Sequence, residues 1–93
     1  MPSIVREKFE HSHALHTERL RLDMLQVLEG HLRVETSTLK ALHLKSAIGY
    51  LQRKSWSAAI KVLEKGKHPA SKDLQKVIDH LEAERHQWER EYR

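Results

Sequence analysis

The sequence predicts an all-α protein, a small antiparallel bundle of three to four helices built around a central helical hairpin. Three observations carry this expectation. Apolar residues recur in steps of three and four along most of the chain. Serine and threonine stand where helices would begin, with glycine or proline where they would stop. The connections between the segments are short, which makes successive helices antiparallel neighbours.

The first helix is expected over residues 4–30. Its stripe Val5, Phe9, His13, His16, Leu20, Met24, Val27 follows the helical repeat, Leu25, Leu28 and Leu32 widen it, and Gly30 would close it as a left-handed cap. Residues 31–35 read equally as a connector or as a continuation past a tolerated glycine. Thr36, Ser37 and Thr38 offer capping hydroxyls for a second helix, 37–53, with Ala41, Leu44, Ile48 and Leu51 on one face and Leu39, Leu42, Ser46 and Tyr50 on another. Ser55 is placed to cap a third helix, 55–66, whose apolar face holds Trp56, Ala59, Ile60 and Leu63; Gly66 and Pro69 stop it. Ser71 would cap the last helix, 71–92, with Asp73 in its first turn. Its seam Leu74, Ile78, Leu81, Arg85, Trp88, Tyr92 turns polar after Leu81, where an Arg85 to Glu89 pair would support a docking segment or a frayed end. The expected core is Leu20, Met24, Val27, Leu28, Leu39, Leu42, Ile48, Leu51, Trp56, Ile60, Leu63, Leu74, Ile78 and Leu81.

Residues 1–93 fit one small domain, near the lower limit for a core that holds unaided, and this excludes a large active site buried between domains. With 39% hydrophobic and 32% charged residues the chain folds but keeps a heavily charged surface, so association would supply part of its stability. The absence of cysteine excludes disulfides, zinc-thiolate sites and thiol catalysis. Met1-Pro2-Ser3 leads into charges and not into an apolar run, and no stretch approaches a membrane span; the expectation is a cytoplasmic protein without a membrane partner.

The hairpin over residues 39–66 resembles a single repeat of the tetratricopeptide family. The pattern falls on Ala47, Tyr50, Ala59, Leu63 and Gly66, with Trp56 where that family often carries an aromatic. His43 stands where it favours tryptophan, Ser46 where it favours leucine, and the expected proline falls at Ser71 instead of Pro69. VLEG at 27–30 and VLEKG at 62–66 hint at a repeat near the family period. The resemblance implies a protein-recognition module whose concave face holds a helix or an extended peptide.

Charge is unevenly placed. Residues 1–36 carry five basic against six acidic side chains and residues 77–93 three against five, while residues 37–76 carry nine against two. Lys54, Lys61 and Lys65 form a row on the polar side of the third helix, followed by Lys67, His68, Lys72 and Lys76. A basic face over 53–76 is therefore the candidate phosphate-contacting surface.

The eight histidines include the cluster His11, His13, His16, in which His13 and His16 share a helix face. No carboxylate nearby completes a ligand set, so no metal or cofactor is expected. No nucleophile with a base, no acid and base pair and no phosphate-binding glycine loop is present, and no small-molecule substrate or catalytic residue is assigned. The Arg6 to His11 spacing is compatible with an Arg-to-His motif of some helical ribonucleases, too loose a match to carry an enzymatic expectation. The expected function is a non-enzymatic protein-interaction module, a small regulatory, adaptor or assembly subunit. It would bind another protein or itself as a homodimer, through Trp88, Tyr92 and Phe9. The alternative is a nucleic-acid-binding subunit or regulator that uses the basic face.

Overall fold

The computed structural model describes residues 3–92; Met1, Pro2 and Arg93, which the one-domain reading includes, lie outside the described residues. Four helices follow one another: α1 (Ser3–Val34), α2 (Thr38–Gln52), α3 (Trp56–Lys65) and α4 (Ala70–Glu91). No strand occurs among the described residues, and the fold is the all-α antiparallel bundle expected, with α2 and α3 as its hairpin. Each helix packs on the next in sequence and α4 returns to α1, closing the ring.

The described molecule measures 53 × 18 × 16 Å. At about 1.5 Å per residue, α1 alone is about 48 Å long and spans nearly the whole molecule, further than any helix beside it. Its C-terminal half packs on α2, whereas its first half projects past the end of α2 and lies along the C-terminal half of α4. The molecule is thus a four-helix body continued by a two-helix stalk.

The stop expected at Gly30 does not occur: α1 runs on to Val34. A side chain at Gly30 would meet nothing within 4 Å, so the glycine serves no close approach there. The extra turn is supported by Leu32, which packs against the core, and by His31, whose ring lies 4.8 Å from that of His68.

The hairpin ends by a mechanism the glycines do not reveal. After α2, the Lys54 amide donates to the Leu51 carbonyl and the Ser55 amide to that of Tyr50. After α3, Lys67 donates to Glu64 and His68 to Leu63. These are two Schellman closures, and the residues in the left-handed conformation are Lys54 (φ 66°) and Lys67 (φ 54°). Gly66, at φ −83°, is needed for space instead: a Cβ there would lie 2.5 Å from Nδ1 of His43.

The capping serines divide in role. Ser37 accepts from the Lys40 amide, as expected. Ser55 occupies the cap position of α3 without a side-chain cap bond. Ser71 lies inside α4, which begins one residue earlier than expected. Its hydroxyl donates back to the His68 carbonyl, and Nδ1 of His68 accepts from the Ala70 amide in its place.

The core consists of Met24, Leu25, Leu28, Leu44, Ala47, Leu51, Ala59, Ile60, Leu63, Ala70 and Leu74, with Leu81 buried towards the stalk. Val27, Leu39 and Leu42, expected inside, are exposed, Leu39 by 63%. Of the two apolar faces of α2, the one bearing Leu44, Ala47 and Leu51 turns inward, and Leu39 and Leu42 lie on the other side of its first turns. Leu20, Ile48, Trp56 and Ile78 are half-buried.

One charged side chain is built into this core. Arg21, 9% exposed, donates from Nη1 to the Leu51 and Gln52 carbonyls (3.1 and 3.3 Å) at the end of α2. Its other nitrogens are held by Glu18, through Nε at 3.0 Å and through Nη2. The guanidinium thus supplies donors and positive charge to the negative end of the α2 dipole while locking α1 to the hairpin. Arg21→Met should cost about 2 kcal/mol, the scale of hydrogen bonds made by a charged donor, measured by urea denaturation with circular dichroism. Arg21→Lys, which keeps the charge but loses the fork, should recover only part of it.

Candidate functional site

The chemistry of the molecule concentrates along the seam between α1 and α4. Phe9 and Trp88 stack with ring centroids 4.5 Å apart and planes at 14°, and Trp88 stacks in turn on Tyr92 at 5.6 Å. Arg85 places its guanidinium 5.6 Å from the Phe9 ring and grips both oxygens of Glu10, at 2.7 and 3.0 Å. The expected Arg85 to Glu89 pair is displaced by this cross-helix fork, whose geometry a helix-internal pair does not match. The Arg85 hydrogen bond holds the Glu10 carboxyl below its ordinary pKa, and that of Arg85 is raised correspondingly. Both groups are exposed enough to water that the pair fixes register more than it stabilises.

Of the three residues expected to face a partner, Phe9 and Trp88 are half-buried against each other, and Tyr92, 47% exposed, ends the stack. The polar tail of α4 docks on α1 as the second helix of the stalk.

Where the stalk meets the body, a groove of about 310 Å³ opens between α1, the first turn of α3 and α4. Trp56, Ile78 and Leu81 supply its apolar walls, and His13, Glu82, Arg85 and His86 its polar rim.

One turn further into the seam, Glu84 reaches across to α1. Its Oε2 lies 3.1 Å from Nδ1 of His16 and 3.7 Å from Nε2 of His80, and its Oε1 lies 3.3 Å from Nδ1 of His13. Burial, the largest influence, raises the Glu84 pKa, but hydrogen bonds from His16 and His13 outweigh it and the net shift is downward. The sequence displayed both halves of this cluster, His13 and His16 at i,i+3 on α1 and His80 and Glu84 at i,i+4 on α4. It could not display the register that brings them together, because about 70 residues separate Glu84 from its partners. The remaining member of the sequence cluster, His11, points outward and is exposed.

The expected basic face is exposed throughout: Lys61 and Lys65 on α3, Lys72 and Lys76 on α4, and Lys54 and Lys67 at the two left-handed turns. Glu64 lies beside Lys61 in the groove between α3 and α4 and interrupts the row. His68 does not belong to that face. It is half-buried, accepts the Ala70 amide, and burial and the neighbouring His31 depress its pKa.

No helix is long and apolar enough to cross a membrane. Comparison with protein-family models, with curated proteins and with solved structures finds no match for this chain.

His68 makes the linkage of α3 to α4 sensitive to pH. Its folded-state pKa lies below the unfolded value, so its contribution is present above about pH 6.5 and is lost as pH falls through the folded value. The corresponding loss at Glu84, whose folded pKa is also lowered, begins only near the carboxylate range, leaving the two windows separate. The stability difference between the wild type and His68→Asn, whose side-chain oxygen can still accept, should therefore shift against the wild type between pH 7 and pH 5. A difference that stays constant would contradict this assignment.

Proposed function

We propose that this chain is a non-enzymatic protein-interaction module, a small adaptor or assembly subunit working in the cytoplasm, and that it receives an apolar side chain of a partner helix in the groove beside the stalk. The observation that carries the reading is the groove itself, about 310 Å³ with Trp56, Ile78 and Leu81 as walls and Arg85 at its edge. Tryptophan and arginine around an apolar pocket are the residue types that anchor protein interfaces. Exposed Tyr92 extends the same side-chain stack at the end of α4. The tetratricopeptide-like spacing of Ala47, Ala59, Leu63 and Gly66 supports the same class of function. Self-association has its own support: Ile4, Leu15 and Leu22 are exposed and spaced eleven and seven residues apart, one line along α1.

A second reading rests on the six exposed lysines of α3, α4 and their turns, which form no ion pair among the described residues. Such a surface suits phosphate, and binding through it would weaken steeply with salt.

One set of variants separates the readings. Ile78→Lys and Tyr92→Ala, each checked for intact helicity, should abolish cross-linking to a defined partner protein, and Leu15→Lys should abolish any concentration-dependent mass in sedimentation. Lys61→Glu with Lys65→Glu should leave both in place. The opposite pattern, with a low-salt gel shift of random duplex or single strand lost only on charge reversal, would replace the protein-binding reading by the nucleic-acid one.

A further inference from the structure

Among the described residues one group brings three metal-ligating side chains within reach of a single ion: His16 from α1 with His80 and Glu84 from α4, whose donor atoms all lie within 4.8 Å of one another. We propose that these three residues form a binding site for one divalent transition-metal ion of the zinc class, and that the ion clips the stalk. Its ligands are Nδ1 of His16, Nε2 of His80 and Oε2 of Glu84.

The two separations about the shared oxygen match the requirement. Bonds of about 2.0–2.2 Å to nitrogen and carboxylate oxygen place neighbouring tetrahedral ligands about 3.3 Å apart. Here the two imidazole nitrogens lie 3.1 and 3.7 Å from the shared oxygen. The His16 and His80 rings stand nearly perpendicular, with centroids 5.8 Å apart, so both can turn a nitrogen to one point without their planes colliding. An i,i+4 pair on one helix and a single ligand on its neighbour is a donor arrangement that two packed helices hold without a loop.

The chemistry of the donors selects the ion. Two imidazoles and one carboxylate suit zinc, cobalt, nickel and copper, whereas magnesium and calcium require sets made of oxygen. Three protein ligands leave a fourth position for water, and the half-exposed setting of His16 and Glu84 gives water access to it.

His13 completes the site from outside. Its Nδ1 lies 3.3 Å from Oε1 of Glu84, the oxygen not assigned to the ion, and its side chain is only 11% exposed. A hydrogen bond there fixes the carboxylate rotamer that presents Oε2 to the ion. This makes His13 a positioning residue in the sense of the outer partners that orient metal ligands. The scaffold is already in place, because the Arg85 to Glu10 fork and the Phe9 to Trp88 stack set the register of α4 on α1 one to two turns away. The three ligands lie outside the groove and the lysine face, so metal binding can be tested without the proposed partner.

The test uses the full chain, free of any affinity tag and pretreated with chelator. Titration with zinc chloride by calorimetry should give one equivalent of saturable binding, unaffected by millimolar magnesium. Cobalt(II) should give the visible absorption of a four-coordinate site. His16→Ala, His80→Ala and Glu84→Gln should each weaken zinc binding at least tenfold. His80 is 64% exposed, so its removal leaves the fold intact and isolates the ligand effect. His13→Ala should keep the stoichiometry and lose about tenfold in affinity, while His11→Ala and His86→Ala should match the wild type. Saturating zinc should raise the melting temperature of the wild type and not that of His80→Ala. The proposal is overturned if no one-to-one binding appears, or if binding survives both His80→Ala and Glu84→Gln.

Discussion

The architecture depends on the continuity of α1. A helix of 32 residues cannot be covered by the 15 residues of α2, the hairpin helix that packs on it, so the chain must either break it or leave part of it beyond the hairpin. The chain does the second. The stalk follows from that mismatch: the projecting half of α1 requires a partner of its own, and α4 is long enough at 22 residues to supply one. The body is held by buried leucines and alanines, whereas the stalk is held by an aromatic stack, an ion-pair fork and a histidine-carboxylate cluster. Polar cross-helix contacts specify register well and contribute little net stability, so the stalk is the part of the fold most open to adjustment by a ligand.

Arg21 stands where the two regimes meet. It ties α1 to the hairpin by binding the carbonyls that end α2. A buried cation is costly unless its donors are satisfied. Here the cost is offset because its donors are satisfied by the Leu51 and Gln52 carbonyls and by Glu18, and its charge lies at the negative end of the α2 dipole. The junction of body and stalk is thereby fixed at one residue, and the groove walled by Trp56 opens beside it.

The fold class and the existence of all four helices were legible because each helix has its own periodic stripe and short connections leave few ways to arrange them. Ends and faces were less so. Gly30 reads as a stop because glycine usually stops helices, yet the packing of Leu32 and His31 outweighs a penalty of about 1 kcal/mol. Lys54 and Lys67 take the left-handed turns that a local reading gives to glycine, since Gly66 is committed to admitting His43. On α2 two apolar faces compete, and only the positions of α1 and α3 decide that Leu44, not Leu42, is inside. The candidate site was half visible: His13 and His16 are conspicuous in the sequence, while Glu84 and Arg85 acquire meaning only through the α1 to α4 register, which no local pattern encodes. Arg21 carried no signal at all, being one arginine among several on a charged helix.

Native-state hydrogen exchange, read residue by residue, tests the continuity of α1 and its two regimes most directly. The amides of residues 4–16 and 82–91 should exchange together through a shared opening of low free energy. Those around Met24, Leu28, Leu44 and Leu63 should exchange only on global unfolding, and residues 30–33 should be protected as helix. Loop-like exchange at residues 30–33, or a single uniform protection along the whole of α1, would contradict the account.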